Sequence, residues 1–191
     1  MADSRLQPIL WKRHDLSGLE SSRIRDLKGE RRLEGVAVFD FEGAACRLDY
    51  DIRCSSAWLT REATITGWVG ARSIRLAIVR LPNATWTLNG QPQPGIEGCD
   101  DIDLNFSPST NLLPIRRLDL AIGASARVRA AWLRFPGLVL QPLQQSYSRV
   151  DANHYRYRAG SFEAVIEVDD EGQVVEYAEW SRMSLGETNR S

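Results

Sequence analysis

The sequence predicts an all-β protein built on a single strongly curved antiparallel sheet, a spiral β-roll or open barrel with at most one or two short helices. Apolar and polar residues alternate along many short segments, turn signals separate these segments, and no long apolar stripe has a helical period. A strongly twisted sheet of roughly a dozen strands must curl, split or close. We therefore expect residues 1–191 to form one β-roll domain.

The first clear strand lies at residues 46–54. Cys46, Leu48, Tyr50, Ile52 and Cys54 fall on one face, and Arg47, Asp49, Asp51 and Arg53 fall on the other. The same alternation predicts strands at residues 74–78, 101–106, 117–122, 127–132, 154–158 and 162–168. Asn89-Gly90 is a strong hairpin signal because both central residues of the preferred turn need a positive φ.

The best helical candidate covers residues 107–113, with Ser107 as the N-cap, Pro108 at the first helical position and Pro114 as the stop. Arg116 and Arg117 then follow on a predicted strand, where adjacent residues point to opposite faces. Only one of the two arginines can therefore face the interior. That arginine either binds a phosphate or carboxylate headgroup or forms a structural ion pair with Asp101 or Asp103.

Composition excludes several classes of protein. The chain has 24 Lys plus Arg against 25 Asp plus Glu and a net charge of −1, so it lacks the broad positive field of sequence-independent nucleic-acid binding. No stretch approaches the roughly 20 apolar residues of a membrane span. Because the N-terminus shows no signal peptide, we expect a cytoplasmic protein. We also expect that it neither binds nucleic acid nor spans a membrane. Three cysteines cannot all pair internally, which predicts buried reduced thiols.

Residues for catalysis are scarce. The two histidines, His14 and His154, have no neighbouring His or Cys, and no nucleophile motif is present. We therefore expect no metal and no cofactor. Asp101 and Asp103 resemble a cation-binding pair of carboxylates, although a structural role is favoured. A hydrolase or transferase acting on a glycolipid-like substrate through Asp101, Asp103 or Glu34 remains the alternative function.

The six tryptophans offer flat surfaces that suit sugar faces and acyl chains as well as cores, and we expect two or three of them to line a pocket. Two basic and aromatic runs, residues 127–134 and 154–158, could stack single-stranded nucleic acid. On a strand, however, their arginines and aromatic residues lie on opposite faces, which favours a solvated outer face.

Residues 98–104 and 107–118, GCDDIDL and SPSTNLLPIRRL, resemble the signature of a bacterial family of unknown function described as glycolipid-binding proteins. The resemblance extends over nearly the whole chain, through Trp11, Gly18, Glu20, Tyr50, Trp58, Thr60, Arg61, Tyr147, Tyr155, Tyr157, Asp169, Gly172, Val174 and Tyr177. It implies a spiral β-roll similar to periplasmic lipoprotein carriers, with a cavity for a glycolipid. The chain departs from those carriers in showing no export signal.

The sequence thus favours a noncatalytic protein that binds an amphipathic small molecule such as a glycolipid. We expect a cavity too wide for side chains to fill, with acyl chains on its apolar face and a sugar or phosphate at its rim. The candidate ligand-binding residues are Trp11, Glu34, Tyr50, Trp58, Arg61, Trp86, Asp101, Asp103, Thr110, Asn111, Arg116, Arg117, Tyr147 and Tyr157. An interaction module with a mostly filled core is a third hypothesis, and the oligomeric state stays open.

Overall fold

The computed structural model describes residues 7–27 and 29–184, which form one sheet of 15 strands and a short helical segment. The first eight strands are β1 (Ile9–Arg13), β2 (Gly18–Leu27), β3 (Glu30–Phe41), β4 (Ala44–Ser55), β5 (Thr60–Val69), β6 (Arg72–Arg80), β7 (Trp86–Leu88) and β8 (Gln91–Pro92). The last seven are β9 (Asp101–Leu104), β10 (Ser125–Arg134), β11 (Val139–Arg149), β12 (His154–Ala159), β13 (Phe162–Val168), β14 (Val174–Tyr177) and β15 (Trp180–Arg182).

Two meanders join edge to edge in this sheet. Strands β8 to β1 run in reverse sequence order, β15 pairs with β1, and β14 to β9 follow. The all-β prediction is confirmed, with one exception to antiparallel pairing, since β9 and β10 are parallel. The sheet does not close through its edge strands. Instead, β9 approaches β5, where the Ile102 amide donates to Thr60 Oγ1 at 3.2 Å.

On β4 and β12, alternation correctly predicts which face is buried. On β4, all five residues from Cys46 to Cys54 that share the predicted apolar face are buried. On β12, Tyr155 and Tyr157 are buried, whereas Arg156 and Arg158 are exposed. All three cysteines are buried and none is in a disulfide.

Strand β9 differs from its prediction because both of its faces are covered. Ile102 and Leu104 belong to the larger core cluster, together with Leu48, Ile52 and Ile65. Asp101, predicted on the outer face, is only 1% exposed. It faces the helical segment and the second core cluster, whose largest members are Trp11, Tyr147, Tyr155, Tyr157 and Trp180.

The helical segment corrects two further expectations. A 3₁₀-helix (Pro108–Asn111) continues directly into α1 (Leu112–Leu118), so the helix begins where predicted but runs through Pro114. Pro114 lies in the first turn of α1, where a missing N–H costs no intrahelical hydrogen bond. Arg116 and Arg117 are consequently helical, and residues 118–122 form no strand.

This segment also occupies the interior of the roll. Every residue from Pro108 to Ile115 is buried, so the expected wide cavity is filled by chain rather than left for acyl groups. Two of the clefts that remain are lined in part by the helical segment or by the Ser107 that caps it. No helix in the described residues is both long enough and apolar enough to span a bilayer.

Candidate functional site

An aromatic and polar cleft of about 320 Å³ lies where the helical segment meets β9 and the C-terminal strands. We call it the aromatic cleft. It is lined by Arg13, Asp15, Asp103, Leu104, Asn105, Ser107, Asn111, Trp132, Leu143, Tyr157, Ala159, Phe162, Tyr177, Ala178, Glu179 and Trp180. Its volume falls near the lower end of the roughly 300–1,000 Å³ typical of ligand sites.

The apolar wall of the cleft is a group of aromatic rings packed edge to face. The Tyr157 ring lies 5.7 Å from the Tyr177 ring and 6.1 Å from the Phe162 ring, between centroids. Strands β12, β13 and β14 are neighbours in the sheet and bring these three rings together. Phe162 is 46% exposed, so the wall extends to the mouth of the cleft. Trp132 and Trp180 add two further rings.

Asp103 supplies a carboxylate to this cleft. Its Oδ2 accepts a hydrogen bond of 2.6 Å from Gln145 Nε2, which also donates to the Tyr157 hydroxyl at 2.9 Å. Burial raises the pKa of Asp103 to about 6, and the Gln145 hydrogen bond opposes that rise. The carboxyl is therefore charged at neutral pH, where it can accept hydrogen bonds from a bound hydroxyl group.

Beneath the cleft lies a buried cluster of four oxygen-bearing side chains, Glu20, Tyr50, Ser107 and Ser109, which we call the Glu20 network. Glu20 Oε1 accepts from the Tyr50 hydroxyl at 2.6 Å and from Ser107 Oγ at 2.5 Å. Ser109 Oγ lies 2.7 Å from the Tyr50 hydroxyl and 2.6 Å from Ser107 Oγ. The network thus joins β2 and β4 to the start of the 3₁₀-helix, where Ser107 lines the cleft.

Burial controls the protonation of Glu20. The side chain is 1% exposed, and desolvation raises its pKa to about 8 despite the hydrogen bonds from Ser107 and Tyr50. Its second oxygen, Oε2, has no hydrogen-bond partner in the described structure. Glu20 is therefore mostly neutral at pH 7, which avoids a buried unpaired charge.

Gly35 makes the approach of Tyr50 possible. The two residues are paired across β3 and β4. A Cβ added at Gly35 would lie 2.3 Å from the Tyr50 hydroxyl and 2.8 Å from the carbonyl oxygen of Ser21. Only glycine leaves room for the Tyr50 ring to cross β3 and reach Glu20 on β2.

The structure distributes the predicted ligand-binding residues among several environments. Asp103, Asn111 and Tyr157 line the aromatic cleft. Five others are buried and either lie close to the helical segment or form hydrogen bonds with it: Trp11, Tyr50, Asp101, Thr110 and Tyr147. Tyr147 donates to Asn111 Oδ1 at 2.9 Å, and Thr110 Oγ1 accepts from the Leu104 amide at 3.3 Å. The role of each in binding stays a prediction.

The remaining candidates lie elsewhere. Trp58 and Arg116 line a second cleft, and Arg117 binds Asp101 through Nε at 3.0 Å and Nη2 at 2.5 Å. Trp86 is buried and donates to the Cys99 carbonyl at 3.2 Å, while Arg61 is exposed. Glu34 lies on the opposite face of β3 from buried Leu33, in ion pairs with Arg23 and Arg32.

These positions bear on the alternative enzymatic hypothesis. Asp101 is paired with Arg117, and Glu34 lies outside the aromatic cleft, so Asp103 is the one of the three proposed carboxylates that lines it. The three side chains therefore do not converge on a common substrate position. Within the described residues, no group of three or more His, Cys, Asp or Glu side chains is arranged to hold a metal ion.

Sequence reasoning missed most of the aromatic cleft. Four of its aromatic residues come from four different strands, and alternation predicts the face of each residue but not that they lie close together: Trp132, Phe162, Tyr177 and Trp180.

The sequence carries a clearer signal for Glu20. It lies on the same face of β2 as buried Ile24, four residues away, and a carboxylate on an apolar face needs partners.

Together these features define an all-β roll whose interior is filled by a short helical segment and which retains a polar and aromatic cleft. The family described as "Putative glycolipid-binding" matches residues 8–182. The chain belongs to this family.

A solved relative supports the same architecture. The crystal structure of a DUF1089 family protein from Pseudomonas aeruginosa is 34% identical, with a TM-score of 0.76 over 87% of this chain and 92% of that chain. No curated protein matches the chain.

Proposed function

We propose that this protein is a noncatalytic binding protein that holds the sugar headgroup of a glycolipid in the aromatic cleft. The single observation that carries the proposal is the chemistry of the lining, where packed aromatic rings face a carboxylate and amides. Aromatic rings pack against the apolar faces of sugars, and Asp103, Asn105 and Asn111 can bond to sugar hydroxyls. The family description supports a glycolipid as the ligand.

Volume limits how much of the ligand the cleft encloses. About 320 Å³ suits a headgroup, and the helical segment already fills the space in which acyl chains were expected. The chains then leave past Phe162, whose half-exposed ring provides an apolar surface at the mouth. In this proposal the headgroup determines specificity, and the chains contribute apolar contact at the rim.

Titration of the protein with an alkyl glycoside below its micelle concentration tests the proposal through tryptophan fluorescence. Trp132 and Trp180 line the cleft, so we expect saturable quenching or enhancement. Octyl sulfate provides the control for the alkyl chain alone and should give a weaker response. Equal responses to the two compounds would contradict recognition of the sugar.

A pair of variants on β13 tests the rim. Phe162→Ala should weaken binding several-fold because the ring contacts the ligand as it leaves the cleft. Val165→Ala provides a matched control, since Val165 is also exposed, at 56%, but does not line the cleft. Equal affinities of the two variants would contradict the proposed route of the chains.

A further inference from the structure

A second cleft, of about 390 Å³, is lined in part by α1 and is mainly polar. It is lined by Trp58, Ile115, Arg116, Asp119, Arg149, Ala152, Tyr155, Val168, Asp169, Asp170 and Gly172. None of these residues lines the aromatic cleft, so the two spaces are separate.

The guanidinium of Arg116 is the uncommitted cation of this cleft. Its carbon lies 5.5 Å from the centroid of the Trp58 ring, and in the described residues no carboxylate or carbonyl accepts a hydrogen bond from it. The adjacent Arg117 differs, because its guanidinium is paired with Asp101 and with Asp100. An unpaired guanidinium on the wall of a cleft can bind an oxyanion through two parallel hydrogen bonds.

The surroundings hold Arg116 in place. Gly172 has a φ of +75°, and a Cβ added there would lie 3.2 Å from Arg116 Cδ, so glycine makes room for the stem of the side chain. Trp58, with a φ of +64°, adopts a left-handed conformation unusual for a large residue. The stem of Arg116 thus packs against Gly172, and its guanidinium lies over the Trp58 ring.

Acidic groups face the same space. Asp119 and Asp170 line the cleft, and neither side chain forms a hydrogen bond or an ion pair within the described residues. Asp169 is engaged, since it accepts from backbone amides and pairs with Arg182 at 3.2 Å. Arg149 is likewise engaged, donating to the carbonyls of Leu120, Asp151 and Ala152.

The charged side chains of this cleft that have no hydrogen bond or ion pair within the described residues are therefore one cation and two anions. A simple dianion such as phosphate would be attracted by Arg116 but repelled by the two carboxylates. A simple amine would be attracted by the carboxylates but repelled by Arg116. From this arrangement we infer that the second cleft binds a small zwitterion, with its oxyanion on Arg116 and its ammonium facing Asp119 and Asp170. The inference does not depend on the aromatic cleft or on its proposed ligand.

Calorimetric titration with phosphoethanolamine and with serine tests the inference. Inorganic phosphate and ethanolamine are the controls, because each carries only one of the two charges. We expect at least one zwitterion to bind more tightly than either control, and the Trp58 indole NMR signal to shift on binding. Failure of both zwitterions to bind at millimolar concentration, or equal binding of phosphate, would overturn the inference.

Variants locate the site. Arg116→Met keeps the apolar stem and should weaken binding roughly tenfold or more, as expected for loss of charge-assisted hydrogen bonds. Arg75→Met removes an exposed arginine on β6 and should bind as the parent does. Unchanged affinity in the folded Arg116→Met variant would overturn the assignment.

A third variant tests the carboxylates. In the double variant Asp119→Asn with Asp170→Asn, the preference for the zwitterion over phosphate should disappear. A retained preference would overturn the role of the two carboxylates.

Short-chain phosphatidylethanolamine distinguishes a lipid ligand from a soluble one, because it carries the same charged groups as phosphoethanolamine on a lipid. Binding comparable to that of phosphoethanolamine indicates a lipid headgroup, and binding of the free compound alone indicates a soluble metabolite.

Discussion

The Tyr50 hydroxyl donates a 2.6 Å hydrogen bond to a Glu20 carboxyl that is buried and mostly neutral at pH 7. This contact connects two strands and, through Ser107, the segment that lines the aromatic cleft.

Stability should depend on pH through Glu20. Its pKa rises from about 4.5 in the unfolded chain to about 8 in the folded protein, so the folded state binds the extra proton between these values. The free energy of unfolding should therefore fall as pH rises from about 5 to 8, by on the order of 3 to 5 kcal/mol. Denaturant unfolding across this range measures the slope.

The variant Glu20→Gln identifies the source of that slope. Glutamine stays neutral and keeps an acceptor for Tyr50 and Ser107, so the Glu20 contribution to the pH dependence should vanish and the variant should exceed the parent in stability at pH 8. Glu34→Gln, on the outer face of β3, should retain the slope. A parental slope in Glu20→Gln would mean that another group is responsible.

The variant Gly35→Ala should destabilise the protein by roughly 1 to 3 kcal/mol, the usual cost of overpacking a filled interior. The new methyl group would displace Tyr50 from Glu20. Gly137→Ala provides the control, because the nearest atom to its added Cβ lies 3.9 Å away. Equal denaturation midpoints in the two variants would contradict the need for glycine at position 35.

Arg117 and Arg116 should differ sharply in their effects on stability. Arg117→Met leaves the buried Asp101 carboxylate unpaired and should cost roughly 3 to 5 kcal/mol. Arg116→Met breaks no ion pair and should leave the denaturation midpoint near that of the parent. Equal losses in both variants would contradict the assignment of the structural ion pair to Arg117.

Sugar binding should respond to the protonation of Asp103. Above a pH of about 6 its carboxylate can accept two or more hydrogen bonds, whereas protonation removes acceptor capacity. Affinity for a neutral alkyl glycoside should therefore decrease as pH falls through 6, and Asp103→Asn should remove this step. A step of the same size in the variant would place the titrating group elsewhere.

The sequence was sufficient where a structural choice is local. Alternation gave the buried face of β4 and the inward tyrosines of β12 because one covered face demands a period of two. It failed at residues 117–122, where Leu118, Leu120 and Ile122 alternate but form no strand. Local alternation there competes with a helix that is stabilised by burial inside the roll.

Long-range packing explains what the sequence could not show. The sequence offered an ion pair between one of the two arginines and Asp101 or Asp103 as one alternative, and the structure shows it between Arg117 and Asp101. Alternation placed Asp101 on the outer face of a strand, however, and did not reveal its burial against α1. The aromatic rings of the cleft also depend on the meeting of strands distant in the chain. The resemblance to the glycolipid-binding family, which the family match confirms, did not distinguish Asp103 in the cleft from Glu34 outside it.

The most direct test of headgroup binding is photocrosslinking with an alkyl glycoside that carries a diazirine on its sugar, followed by peptide mapping. We predict labelling of the cleft-lining parts of β10, β12, β13 and the β14–β15 hairpin, with competition by the unmodified glycoside. Labelling confined to the outer face or the second cleft, or labelling that the unmodified glycoside does not reduce, would contradict the proposed function.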